Sequence, residues 1–303
     1  MSTRYQHDVH AGNFADVHKH LLLWQVLDSL RGRDKPFVAI DLHAGAGGYC
    51  LSSARARQTD EAASGIGRLW SCAGSLPPIV EEYLSALRDL QPNPPQLAEY
   101  FGSPLLIQAR LRERDQLIAC EQNPETQARL KGRLTEDARC HVHRRDAREA
   151  ATALFPPEPR RGLVLLDPPY QRKTEYREVV AMVQSIRQRW NTGTILIWYP
   201  VVAGRPDHAM REQLRAELDD PWLVSELRIA PDPERHRGLA GSGMLVLRPP
   251  WQLETLLAET LLPVWRLLDP EGAGGLYQAS ALENGAGDPT LRRVETILGK
   301  SRP

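Results

Sequence analysis

Leu163-Val164-Leu165-Leu166-Asp167-Pro168-Pro169-Tyr170 decides how this chain is read. The four apolar residues form a buried strand. An acid, two prolines and an aromatic then stand where a parallel strand opens into a binding crevice. Proline has no N–H, so the turn offers carbonyls and few competing donors. Asp167 can accept a hydrogen bond from an exocyclic amine, and Tyr170 can stack on a base face. The cluster suits a flat ring that carries an amino group. An ordinary Pro-rich turn is the plain alternative. In 303 residues a chance Asp-Pro-Pro-Tyr is roughly a one-in-a-thousand event.

On either side of it, seven short apolar runs in all read as strands: residues 37–42, 117–121, 140–144, 163–167, 194–199, 223–229 and 244–247. Helical spacing fills most gaps, at 17–30, 104–114, 124–134, 176–189 and 207–218. Strands alternating with helices predict an α/β fold, a mostly parallel seven-stranded sheet with helices on both faces. One interval breaks the rhythm. Between Gly48 and Leu117 there is too much chain for one crossover helix. Residues 79–90 have helical spacing, ended by Pro92-Asn93-Pro94-Pro95. The expected organisation is a sheet domain from 1–50 and 101–268, a helical insertion at 51–100, and a Gly-rich polar tail at 269–303. Weak order is expected in that tail, apart from a short helix near 291–298.

Composition excludes several classes. Hydrophobic residues at 42% and charged residues at 25% are those of a soluble globular protein. Lys plus Arg equals Asp plus Glu at 38 each, so any basic face is balanced by acids elsewhere. Arginine heavily outnumbers lysine, which suits planar contacts to phosphates and bases, although genomic base composition accounts for most of such a bias. Cys50, Cys72, Cys120 and Cys140 have no paired spacing, against a zinc ribbon or disulfide framework and in keeping with a reducing cytosol. No signal-peptide core and no membrane-spanning run is visible.

Asp41-Leu42-His43-Ala44-Gly45-Ala46-Gly47-Gly48 follows the first strand. Its small residues let the backbone turn tightly beside a ligand. It is not a P-loop, since no Gly-Lys-Ser/Thr follows, nor a strict dinucleotide fingerprint, since Cys50 takes the third glycine's place. Glu121 ends the second strand, where an acid can bond ribose hydroxyls. Asp146 ends the third, where an acid can meet an adenine amine. Each acid alone could be a solvated strand end or a helix cap; three at successive strand ends beside a glycine turn favour a cofactor. Ser103-Pro104 reads as a helix start with Ser103 at the cap. The segment from Tyr5 to His20 holds four histidines, but their spacing does not put four ligands on one helix face, so no metal is expected. Lys19 and His20 instead stand where they could reach the carboxylate of an amino-acid-like ligand.

In this order the pieces resemble adenine-N6 methyltransferases that use S-adenosylmethionine, and within them the bacterial 23S ribosomal-RNA adenine-N6 methyltransferases. The resemblance runs from about Tyr5 to Trp265 and rests on His10-Ala-Gly-Asn13, Ala15-Asp16-Val17, Lys19-His20, Gly102-Ser-Pro104, Asp167-Pro-Pro-Tyr170, Trp198-Tyr-Pro200 and Gly241-Ser-Gly-Met244, besides the glycine turn. It implies a Rossmann-like class I methyltransferase. By position it puts cofactor contacts on His20, His43, Ser103, Glu121, Asp146 and Ala147, to which Lys19, Gly45 and Gly47 are added from the residues themselves. It implies Asp167 as the catalytic acid and Tyr5 as an RNA-substrate contact; the residues themselves add the Pro168 carbonyl as a second catalytic acceptor and Tyr170 as a catalytic and substrate-binding ring that stacks on the base. Ala147 departs from the family's expected glycine. The implied target is adenine 2030 of 23S rRNA, flipped into the pocket. The expected setting is cytoplasmic, a monomer without metal or membrane. Candidate RNA-facing arginines are 110–114, 144–145, 160–161 and 235–237. A DNA adenine-N6 methyltransferase is the runner-up, but no long target-recognition domain is visible. A non-catalytic cofactor-binding protein is disfavoured by the intact motif, and a protein-glutamine methyltransferase would carry asparagine in place of Asp167.

Overall fold

The computed structural model describes residues 7–94, 96–281 and 291–294. A 3-10 turn, His7–Val9, leads to α1 (Phe14–Arg31). Asn13 caps α1, its side chain accepting from the amides of Ala15 and Asp16. After β1 (Val38–Asp41) the glycine turn runs into a short strand, β2 (Gly48–Cys50), and not into a helix. Four helices follow, α2 (Ala56–Thr59), α3 (Glu61–Ser64), α4 (Ile66–Ser71) and α5 (Pro78–Asp89). β3 (Glu99–Phe101) then returns antiparallel to β2. The crossover helix, α6 (Ser103–Arg110), starts only here. The amide of Gly102 donates to Gly47 O at 2.9 Å, so turn and helix meet as if consecutive, with the extra helices spliced between them.

The remaining elements are β4 (Gln116–Cys120), α7 (Pro124–Leu134), β5 (Cys140–His143), α8 (Ala147–Ala153), β6 (Gly162–Leu166), α9 (Thr174–Arg189), β7 (Thr194–Val201), α10 (Pro206–Glu217), β8 (Trp222–Arg228), β9 (Gly241–Leu247), α11 (Leu253–Leu268), β10 (Gly275–Ala281) and β11 (Arg292–Arg293). The main sheet has the order β11-β10-β8-β9-β7-β6-β1-β4-β5. From β5 to β7 all neighbours are parallel; β9 is antiparallel to both β7 and β8. The order reverses at β1, between β4 and β6, which opens the crevice at the C-terminal strand ends.

All seven expected strands are present, but among the described residues the main sheet has nine. β10 pairs with β8 along its length and buries Leu276 against the core, so the chain past Leu268 is partly ordered sheet. Its Gly, Ala and Ser residues have low strand propensity; edge pairing and packing against α11 make it a strand. The expected helix near 291–298 falls largely outside the described residues.

One apolar cluster lies between the sheet and α1, α4, α5, α6, α7 and α11. The second lies under α8, α9 and α10. α1 has the sheet on one side and α5 and α11 on others, and is buried around almost its whole circumference. Its polar residues Asp16, His18, Lys19, His20 and Gln25 are therefore buried too, and buried polar groups need partners.

Gly162 opens β6 opposite Val38 of β1. A Cβ there would lie 1.8 Å from the Val38 carbonyl oxygen, far inside contact distance. Gly132 sits inside α7 with open space around it. Gly162→Ala is expected to cost about 3 kcal/mol or more. Gly132→Ala is expected to stabilise by about 0.5–1 kcal/mol. Thermal midpoints moving in opposite directions would bear this out; equal shifts would not.

Candidate active site

A cleft of about 1130 Å³ opens at the C-terminal ends of β1, β4, β6 and β7. Its wall includes Lys19, His20, His43, Gly45, Ser103, Glu121, Asp146, Ala147, Asp167, Pro168, Pro169 and Trp198. Of the residues singled out from sequence, Gly47 and Tyr170 are set back from this wall, and Tyr5 lies outside the described residues.

Asp167 follows β6 directly. Its Oδ2 takes the Lys19 ammonium at 2.6 Å, and Lys19 also donates to Asp16 Oδ1 at 2.9 Å. Asp16 Oδ2 in turn accepts from the amide of Gly12. Burial alone would push the Lys19 pKa down; Asp16 and Asp167 outweigh it and drive it up. Lys19, expected to face a ligand carboxylate, is held instead by two carboxylates of the chain. Asp167 Oδ1 has no partner among the described residues. The Asp167 amide donates to His43 Nδ1 at 3.2 Å, which makes that nitrogen an acceptor. Burial pushes the His43 pKa down to about 4, so its ring is neutral at pH 7.

Asp41 ends β1 fully buried. It accepts from the Ser103 hydroxyl at 2.6 Å and from the His43 amide at 3.1 Å. Burial lifts its pKa to about 6 against the pull of those two bonds. Ser103 is thus not the cap: Gly102 occupies that place, and the serine hydroxyl ties α6 to β1. Gly45 and Gly47 have φ of 64° and 77°, a region that favours glycine. A Cβ at Gly45 would collide with the Tyr49 hydroxyl, and one at Gly47 would lie 2.5 Å from Leu105 Cδ2. Glu121 Oε1 accepts from the Asn123 amide at 2.7 Å. Asp146 caps α8 and is bracketed by Arg148, which holds its carboxyl below the usual range. His20 Nδ1 lies 2.7 Å from the Tyr100 hydroxyl, with the two rings stacked.

Tyr170 corrects the sequence reading. Its φ is 48°, its hydroxyl donates to the Trp198 carbonyl at 2.8 Å, and its ring packs on Tyr176. Its hydroxyl thus serves to tie the motif to β7. The aromatic ring on the cleft wall beside Asp167 is Trp198, 5.8 Å from Lys19 Nζ. Sequence reasoning gave Trp198, Ser242 and Asp16 no role, although each lies in a motif noted there. Tyr100 had no local signal, because only the β2–β3 ribbon brings it to His20.

The arginines also separate. Arg110 is buried with Asp28, Glu82 and the Trp24 ring. Arg112 and Arg161 bond backbone carbonyls before β1, at the strand ends opposite the cleft. Arg145 and Arg237 lie on the cleft, with Arg55, Arg129, Arg148 and Arg172. Among the described residues no group of three or more His, Cys, Asp or Glu side chains is placed to hold a metal ion. No helix among them is long and apolar enough to cross a membrane.

A family model described as ribosomal RNA large subunit methyltransferase D, RlmJ, matches residues 34–278. The chain is 39% identical over 270 residues to the ribosomal RNA large subunit methyltransferase J of Escherichia coli, covering 89% of this chain and 95% of that protein. The protein of the same description from Haemophilus influenzae is 38% identical over the same shares. A crystal structure of a Legionella pneumophila protein superposes with a TM-score of 0.81 at 29% identity, covering 91% of this chain and 99% of that one.

Burial keeps two histidines beside the cleft neutral, His18 near a pKa of about 3 and His43 near about 4. Unfolding restores ordinary values, so the unfolded chain binds more protons and stability is lost as pH falls below about 6.5. Asp41 acts oppositely, its contribution being lost as pH rises through about 6. Two histidines outweigh one carboxyl, so the thermal midpoint is expected to fall between pH 7 and pH 5. His18→Gln should make that slope shallower; an unchanged slope would remove His18 from the account.

Proposed function

Because this chain belongs to the family of large-subunit ribosomal RNA methyltransferases, we propose that Asp167 and Pro168 present the N6 amine of a flipped adenine in 23S rRNA to S-adenosylmethionine. The chain is an rRNA methyltransferase, and S-adenosylmethionine supplies an electrophilic methyl group on a positively charged sulfur. The observation that carries the residue assignment is the division of labour at Asp167. One oxygen is anchored by Lys19, and the other has no partner among the described residues, on a cleft wall that Pro168, with no N–H of its own, also lines.

The residues present suit such a donor. The glycine turn lines the cleft with backbone, and Gly45 keeps its positive φ there with the Tyr49 hydroxyl packed where a Cβ would stand. Glu121, at the end of β4, suits ribose hydroxyls. Asp146 and the Ala147 backbone suit an adenine edge, and an alanine leaves that backbone contact in place. His43, neutral, and His20 line the same cleft.

Adenine N6 is a poor nucleophile because its lone pair is delocalised into the ring. Two fixed acceptors, Asp167 Oδ1 and the Pro168 carbonyl, would hold both N–H bonds and turn the lone pair out of conjugation. Positioning then supplies much of the rate. Lys19 has a second consequence. By neutralising part of the Asp167 charge it limits how strongly the carboxylate attracts a cation in the ground state, an attraction that would slow the reaction. Asp167 Oδ1 is also placed to take the proton that N6 sheds. The cleft-side arginines, Arg55, Arg129, Arg145, Arg148, Arg172 and Arg237, suit RNA phosphates. The same reading makes adenine 2030 the target, the cytoplasm the place of action and a monomer the working form.

Radiolabelled methyl transfer to naked 23S RNA, assembled large subunits, transfer RNA and duplex DNA tests the assignment. The wild type should label 23S RNA; preferential labelling of duplex DNA would replace this reading with the DNA enzyme. Asp167→Ala should keep cofactor affinity by calorimetry and lose at least about a hundredfold in rate. A variant that methylates at the wild-type rate would overturn the role given to Asp167.

A further inference from the structure

We propose that Trp198 is the stacking surface for the target adenine, and that Ser242 and His18 are positioning residues that fix its ring. The inference rests on the adenine reading above. Trp198 is half-buried on the cleft wall, in the strand next to β6. Leu166 pairs with Ile197, so Trp198 stands beside Asp167. Both ends of the residue are held. Its carbonyl accepts from the Tyr170 hydroxyl at 2.8 Å, and its indole Nε1–H donates to Ser242 Oγ at 3.0 Å.

Ser242 is itself held. His18 Nδ1 lies 2.9 Å from its hydroxyl, and His18 Nε2 lies 3.1 Å from Ser225 Oγ. His18, Ser225 and Ser242 are all fully buried. The indole N–H donates to Ser242, whose hydroxyl has two acceptors in reach, His18 Nδ1 at 2.9 Å and the Ala15 carbonyl at 3.4 Å; with Nδ1 as the acceptor, His18 Nε2–H donates on to Ser225. This chain of bonds joins α1, β8 and β9 and ends on the indole that stands on the cleft wall beside the motif acid. A satisfied buried polar network specifies a single arrangement where an apolar contact would allow several rotamers. That is what a stacking platform needs, because a base held by two hydrogen bonds at its amine can still tilt about that edge. Tyr170, packed on Tyr176, supports the platform from behind.

The test uses the full-length enzyme, RNA carrying the adenine that the wild type methylates, and the same RNA with 2-aminopurine at that position. Trp198→Leu should raise KM for RNA about tenfold, the range of one base–aromatic stack, and leave the affinity for S-adenosylmethionine within twofold. Trp198→Phe should stay within threefold of wild type. Ser242→Ala, which leaves the ring but frees its N–H, should raise KM a few-fold. Aminopurine emission should be quenched in the wild-type complex and several-fold brighter with Trp198→Leu. Wild-type methylation with unchanged KM and emission in Trp198→Leu would overturn this proposal alone. Absence of wild-type RNA methylation would instead remove the reading beneath it. Should Trp198→Leu fail to bind S-adenosylmethionine, Ser242→Ala and Trp198→Phe decide: wild-type KM and emission in Ser242→Ala would overturn the positioning role.

Discussion

A lysine ammonium buried between two carboxylates sets the terms for the rest of this structure. Lys19 is 4% exposed, with Asp16 on its own helix and Asp167 at the end of β6. An isolated charge at that depth would be costly, and removing one partner of such a group typically costs about 3–5 kcal/mol. The helix therefore cannot slide or rotate against the sheet without stranding the ammonium. The same holds for two neighbours of Lys19 on α1. His18 meets serines of β8 and β9, and His20 meets Tyr100 from the inserted ribbon. A helix with sheet behind it and helices around it has no solvated face for its polar residues. Each of them is thus a registration mark, and together they aim the motif acid.

The catalytic end of the molecule is built of shared groups. Asp41 binds Ser103 and the His43 amide, while His43 binds the amide of Asp167. β1, α6 and β6 are thereby joined at their ends through one carboxyl and one neutral ring. The acids face a cleft whose cations, apart from Lys19, are arginines from surrounding helices and loops. A negative floor with a basic surround suits a cationic donor below and a phosphate backbone above.

Much of this was legible in the sequence, for identifiable reasons. The seven strands of the central fold were visible because strands buried on both faces, the parallel ones and the antiparallel β8 and β9 alike, read as short apolar runs. Pro124–Leu134 was legible at both ends because Asn123, Pro124 and the leucines mark them chemically. β10 was not, because its residues carry no strand preference and its partner is far away in sequence. The motif acid was legible, but not its tie to Lys19, because a helix packed on all sides shows no amphipathic stripe to say which residues point where. Tyr170 misled for a related reason: residue type allows stacking on a base, and only the folded chain shows its ring packed on Tyr176 and its hydroxyl on the Trp198 carbonyl.

The ribbon that carries the extra helices has a consequence for the history of the fold. Gly47 and Gly102 are hydrogen-bonded neighbours, so a segment could have entered there without disturbing the crossover, as a duplicated or borrowed hairpin. Leaving is another matter. Ile66, Leu69, Tyr83 and Leu84 now belong to the same core as α1, and Tyr100 satisfies His20. Taking the inserted helices away would uncover the side of α1 that they now keep dry.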